Sequence, residues 1–414
     1  MPITKELLSE SVRKTVDSTR VVDVHTHLYP ASFGGLLLRG IDELLTYHYL
    51  IAETLCCKSI GAKALYAMNK TEQADLVWRT LFQERSPVSE ACRGVLTTLQ
   101  EFGLDTGERD LNSYREFFLN LTIEEHVDIT FQKANIEAIV MTNDPFDQEE
   151  YKCWEAGLQG DSRFLPALRI DPLLNTWTDA VSILQSKGYR VDNDISPQTV
   201  SEVRRFLRSS FEMMDPLYLA VSLPPDFAYP EASPRGRLLK DAVLPFCREA
   251  GVPLALMPGV KKLTNPALGV AGDSVGKASI EAIENLCVMH PEIRFLVSML
   301  SRENQHELCV AARKFSNLTI FGCWWFLNNP SLVQEITAMR LELLGTAFIP
   351  QHSDARVLDQ LVYKWKHSKE VIADALTEKY YDLMQTGWVV TEDEIRRDVD
   401  RLFRGNACEA LGIS

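Results

Sequence analysis

Eight short apolar or β-branched runs alternate with helical stretches, and that alternation restricts the fold more than any other feature of the chain. The first is Arg20-Val-Val-Asp-Val-His25-Thr-His27. The others cover residues 138–141, 164–168, 218–221, 253–256, 295–297, 319–321 and 347–349. Runs of this kind read as buried strands, and helices between them make the strands parallel. Eight such units close most economically as a (β/α)8 TIM barrel, an α/β fold. An open doubly wound sheet is the alternative, but no glycine-rich phosphate loop follows the first strand. Helix punctuation agrees with the alternation. Ser196-Pro197 and Ser233-Pro234 read as starts, and Gly251 and Gly345 as stops.

An amphipathic helix over residues 4–17 precedes the first strand. Residues 28–136 carry no strand pattern and read as a run of helices, at 42–55, 71–85, 89–102 and 122–134. The last opens Thr122-Ile-Glu-Glu125, a capping-box spacing. This stretch is too long for a strand-to-helix loop and is a helical insertion within one barrel domain, 1–414. Residues 363–414 are helical and pack on the outside of the barrel.

The 414 residues, 46% hydrophobic, can fill the core of a large barrel. A net charge of −14 without a basic run argues against nucleic acid and anionic membrane as partners. The N-terminus, Met1-Pro-Ile-Thr-Lys-Glu, is not a signal peptide, and no apolar run reaches membrane length. Nine scattered cysteines, among them Cys56-Cys57 and Cys323, read as reduced thiols of a cytoplasmic protein.

Barrel enzymes place their chemistry at the C-terminal strand ends. Side chains two apart on a strand point the same way, so His25 and His27 leave the first strand side by side, as metal ligands require. The bland alternative is a pair of surface histidines. Asp354, after the eighth strand, supplies a carboxylate oxygen, or else caps a helix. His352 is a competing ligand. Three protein ligands leave positions open for substrate, as in a catalytic metal site. Arg169 and Arg356 are fork donors suited to a carboxylate; an ion pair with Asp171 or Asp144 is the alternative for them. Arg302 lies after the sixth strand. Of Trp324 and Trp325, one faces the pocket and the other the core. His48 and Tyr49 lie in a helix soon after the first strand, where they can reach the barrel mouth. His290 and His367 read as surface groups, and His126 and His306 as helical residues without a partner.

At these residues the sequence resembles the uronate isomerase (glucuronate isomerase) family, a divergent branch of the amidohydrolase superfamily. Asp23-x-His25-x-His27-Leu28 resembles its first-strand motif, and His48-Tyr49 its helical His-Tyr pair. Arg169-Ile-Asp171 resembles its Arg-Pro-Asp. Trp324-Trp325-Phe326 and Ser353-Asp354-Ala-Arg356 resemble its Trp-Trp-Phe and Thr-Asp-Ser-Arg segments. Five segments in order span almost the whole chain. One departure is Met257, where much of the family has a histidine after strand five; the end of strand six has none either. A two-metal centre would also want a Lys or Glu on strand four, so one divalent ion is expected, on His25, His27 and Asp354. Zinc is the first choice, with manganese and iron as alternatives.

The resemblance implies interconversion of D-glucuronate with D-fructuronate and of D-galacturonate with D-tagaturonate, by proton transfer through an enediolate. Asp354, Tyr49 and His48 are then the proton carriers, with Arg356 beside them. Arg169, Arg356, Arg302, Trp324 and Trp325 bind the small-molecule hexuronate. Self-association into a homo-oligomer is compatible with the sequence. The competing readings are a metal-dependent hydrolase, disfavoured by the missing ligands, and a sugar-acid-binding homologue that has lost catalysis.

Overall fold

The computed structural model describes residues 4–158 and 160–413. Residues 1–3, 159 and 414, which belong to the expected 1–414 domain and in part to the N-terminal reading, lie outside the described residues.

Seven parallel strands form one curled sheet. They are β1 (Val21–Thr26), β2 (Ile136–Asn143), β3 (Phe164–Arg169), β4 (Leu219–Leu223), β5 (Leu254–Pro258), β8 (Phe295–Val297) and β9 (Leu318–Ile320), neighbours in that order. Two further strands, β6 (Val260–Lys261) and β7 (Ser274–Val275), make a small antiparallel ribbon after β5 that the sequence pattern did not reveal. The eighth expected strand, residues 347–349, is reduced to a single bridge between Phe321 and Ile349. The chain beyond that bridge is irregular because Asp354 takes a left-handed backbone, φ 50°. The barrel still closes there. Asp354 N donates to His25 O at 3.0 Å and His27 N to Ala355 O at 2.7 Å, so the segment carrying Asp354 runs beside the end of β1.

Strand residues alternate between two apolar clusters. Val140, Ala167, Ala220, Ala255 and Leu296 point into the barrel, whereas Ile139, Leu168, Leu219, Leu254 and Val297 face the helices. Small inward residues leave room for the aromatic side chains of Tyr218 and Phe321. The floor is filled by the last helix, Asn406–Leu411, which adds Ala407, Ala410 and Leu411 to the inner cluster.

Residues 28–136 fold as helices around their own apolar cluster, which includes Leu45, Trp78, Leu99 and Phe118 and extends to Val357 and Tyr363. The helix Ile123–Ala134 has the capping box at Thr122 and Glu125. The helix expected over 42–55 is broken at Thr46-Tyr47 into Ile41–Leu45 and His48–Cys57. That break sets Tyr47 in extended backbone and puts His48 on a first helical turn. Helices at Ala62–Tyr66 and Leu111–Leu119 were not evident in the sequence.

The insertion is fastened to the barrel by a buried pair. Asp359 accepts from His126 Nε2 and from Gly40 N, both at 2.7 Å. His126 therefore does have a partner, one 233 positions away that no local pattern signals. His367, expected at the surface, is also buried and sits between Glu90 at 2.6 Å and Thr97 at 2.9 Å. The helix Gln360–Gln385 that carries it starts three residues before the expected boundary and packs against the helices Lys5–Ser18, Glu90–Glu101 and Pro330–Leu344. No helix among the described residues is long and apolar enough to cross a membrane, and all nine cysteines are free.

Candidate active site

A narrow cleft lies at the C-terminal strand ends. His25 and His27 enter it from β1, Arg169 and Asp171 from β3, Ser222 from β4, and Met257 from β5. Lys262 reaches it from the ribbon, Trp324 and Trp325 from the loop after β9, and Asp354 and Arg356 from the closing segment. Tyr47 and His48 complete the wall from the insertion.

The imidazoles of His25 and His27 stand 5.3 Å apart, centre to centre. The nearest approach of His27 Nε2 to Asp354 Oδ1 is 3.2 Å, and of His25 Nε2 to the same oxygen 3.7 Å. One ligand atom from each of the three lies within 4.8 Å of the others. The opposite nitrogen of His27 is held from behind. Thr142 Oγ1 gives its only proton to Thr26 O at 2.9 Å and so accepts from His27 Nδ1 at 2.8 Å. His27 Nε2 is then a lone-pair acceptor facing a carboxylate oxygen that is buried and has no hydrogen-bond partner. Two acceptors converging without a proton between them is the arrangement expected around a cation. This trio can therefore hold one divalent metal ion. His352 is fully buried but does not join the group, because the left-handed turn at Asp354 breaks the two-residue alternation. Its ring instead lies against Gly322, where a Cβ would fall 2.0 Å from it. Asp354 begins no helix, so the capping alternative is not realised.

Burial sets the protonation states. It lowers His25 and His48 to about 3 and His27 well below the ordinary imidazole range, so all three are neutral. It also raises Tyr49 well above the ordinary phenol range, keeping its hydroxyl protonated. A histidine depressed in the folded state but ordinary in the unfolded one contributes stability above about pH 6.5 that is lost as pH falls toward the folded value. Chelator-treated protein should accordingly lose about 1.4 kcal/mol per pH unit for each such histidine below pH 6.5. Urea titrations at pH 7 and pH 5 measure this. An unchanged midpoint would show that these rings are not buried neutral.

Arg169 donates to Asp171 at 3.2 Å, so the ion-pair alternative is realised for it. Burial opposes its charge, but Asp171 and Asp144 keep the guanidinium charged. Lys262 pairs with Asp273 at 2.7 Å. Arg356 approaches His27 Nε2 at 3.4 Å and has no carboxylate in ion-pair range among the described residues. Trp324 is buried in the barrel cluster and Trp325 packs partly over it, yet both line the cleft. Arg302 does not reach the cleft. Its neighbour Asn304 is anchored inward to Ala278, which turns Arg302 outward to Glu335 at 2.9 Å. Tyr49 stands behind His48, ring centres 4.4 Å apart, and Tyr47 takes the lining position instead. Tyr47 could have been found only from the helix break.

The chain is 55% identical to a uronate isomerase from Bacillus halodurans, over 99% of this chain and 97% of that one, with a TM-score of 0.98. The chain belongs to the uronate isomerase family. A uronate isomerase from Thermotoga maritima (14% identical, TM-score 0.79, covering 99% of this chain and 100% of that one) shares the fold. So does a glucuronate isomerase from Caulobacter crescentus, 16% identical with a TM-score of 0.77, over 100% of this chain and 95% of that one. No protein-family model matches the chain, and comparison with curated proteins finds no match. Within the uronate isomerase fold, Met257 fills the strand-five position of the cleft wall with a thioether, fully buried. With Ser222 on β4, that wall offers no second set of ligands.

Proposed function

We propose that the protein interconverts hexuronates with their 2-keto isomers, D-glucuronate with D-fructuronate and D-galacturonate with D-tagaturonate. The observation that supports this most is Arg356, a cleft cation without a carboxylate partner, placed beside an unpartnered Asp354 carboxylate oxygen. A sugar acid supplies the missing carboxylate, and its C2 proton supplies work for the base. Arg356 takes the substrate carboxylate, and Arg169 adds what its Asp171 pairing leaves free. Trp325, whose buried Nε1 lacks a partner, lies along the carbon chain.

Asp354 takes the proton from C2 and the C1 carbonyl oxygen gains the enediolate charge. The O2 hydroxyl proton then passes to O1, and Asp354 returns its proton to C1 as O2 becomes the ketone oxygen, which regenerates the carboxylate. The neutral His48, which lines the cleft, is suited to relaying the proton between O2 and O1, with the protonated Tyr49 behind it; both have buried polar atoms lacking partners. Exclusion of water by the helical insertion keeps the carbanion from side reactions. A divalent ion held by His25, His27 and Asp354 would supply electrophilic stabilisation of charge developing on the substrate oxygens. Zinc suits two imidazoles and a carboxylate best, with manganese or iron as alternatives. The hydrolase alternative gains nothing from Ser222 and Met257. The free cysteines support the cytoplasm as the compartment.

Turnover of D-glucuronate in heavy water, followed by NMR, tests this reading. The product should be the ketose with some deuterium at C1, incomplete because the helical insertion limits exchange of the proton carrier with solvent. Complete retention of hydrogen there, with undiminished turnover in Asp354→Asn, Tyr49→Phe and His48→Ala variants, would exclude these proton carriers. Purified protein should bind no more than one zinc per chain, and His25→Ala combined with His27→Ala should abolish that binding. Two ions per chain by elemental analysis would contradict the three-ligand site.

A further inference from the structure

The segment that presents Asp354 and Arg356 is held by one face of the helix that comes after it. Gln360 Oε1 accepts from Arg356 N at 2.9 Å and from Val357 N at 3.2 Å. Lys364 Nζ donates to Ser353 O at 2.6 Å. Trp365 Nε1 donates to Asp23 Oδ2 at 2.8 Å, and Ser368 Oγ accepts from Gln351 Nε2 at 3.1 Å. Positions 360, 364 and 368 are four apart and so share a helical face. The ties through Gln360, Trp365 and Ser368 are ordinary polar ones. Lys364 is different: it is 4% exposed, its Nζ reaches a carbonyl rather than a carboxylate, and no acid lies within ion-pair range among the described residues.

A buried ammonium without a counter-ion is a poor stabiliser, since desolvation costs more than one carbonyl returns. Its placement is better understood from what it holds. Ser353 O immediately precedes Asp354, whose φ of 50° is strained for a residue with a side chain. That carbonyl has two donors, Lys364 Nζ and Asn328 Nδ2 at 2.9 Å. On the other side, Ser353 N is tied to Asp23 at 3.1 Å and Asp354 N to His25 O at 3.0 Å. The peptide before Asp354 is thus pinned at both ends, and its carboxylate is aimed at His25 and His27.

We propose that Lys364 is a positioning residue of the isomerase reaction, pinning the Ser353 carbonyl so that the left-handed turn delivers Asp354 to the ligand trio. The inference rests on the role given to Asp354 above. Lys364→Met keeps the length and apolar stem of the side chain and removes the donor. Turnover of D-glucuronate should fall on the order of 10- to 100-fold in kcat with KM nearly unchanged, as for other residues that orient a ligand from behind. Zinc affinity, from competition with a chromophoric chelator, should weaken by a similar factor, about 10-fold or more. The melting temperature should hold or rise, because an uncompensated buried charge has gone. A merely structural role would instead lower the melting temperature along with activity. If Lys364→Met does not fold, Lys364→Leu decides, since it removes the same donor to the Ser353 carbonyl and should give the same kcat-selective loss. Parent-like kcat and zinc affinity, within twofold, in whichever variant folds would overturn the proposal. If the parent itself leaves hexuronates unchanged, the functional reading fails, and the zinc arm still decides the role of Lys364.

Discussion

Asp354→Asn should lower kcat for D-glucuronate by roughly 10²–10⁴-fold, the usual worth of a positioned general base. The substitution is nearly isosteric, and asparagine is among the few residues that tolerate the left-handed backbone found at this position. The fold and the turn should therefore survive, and the loss should report the carboxylate alone. Because the same oxygen faces His25 and His27, zinc affinity should weaken in parallel. Steady-state kinetics with a chelator competition on the same preparation check both. A kcat within tenfold of the parent would remove Asp354 as the base.

Arg356→Lys should cost on the order of 10- to 100-fold in kcat/KM for hexuronates although the charge is kept. A guanidinium offers two parallel donors to a carboxylate and an ammonium does not, and hydrogen bonds to charged groups are worth about 1.5–3 kcal/mol. The loss should be larger than for Arg169→Lys, because Arg169 already spends part of its fork on Asp171. Discrimination against D-glucose should narrow in the variant, since only the acid has the group that Arg356 holds. Equal loss of activity toward both sugars would place Arg356 in the chemistry rather than in recognition.

Strand order, the side-by-side histidines and the Asp354–Arg356 segment were legible in the sequence because each depends on local pattern. Period-two alternation aims His25 and His27, and apolar runs mark β2 to β5 whatever surrounds them. What escaped depends on tertiary context. Residues 347–349 carry a strand pattern, but the turn that aims Asp354 leaves them one bridge. Arg302 sits at a strand end like the other site residues, and only the anchoring of Asn304 shows that it faces away. Lys364 and Ser368 fall in the helical stretch expected outside the barrel, yet they and Gln360 are buried against the closing segment. His126 and Asp359 are far apart in sequence, and neither announces the other.

The measurement that bears most directly on function is turnover of D-glucuronate and D-glucose by the same zinc-supplemented protein, with the ketose product followed by proton NMR. The pairing of an unoccupied guanidinium at Arg356 with the Asp354 carboxylate predicts conversion of D-glucuronate to D-fructuronate and no detectable fructose from glucose. Equal turnover of the two sugars, or none of the hexuronate, would contradict it.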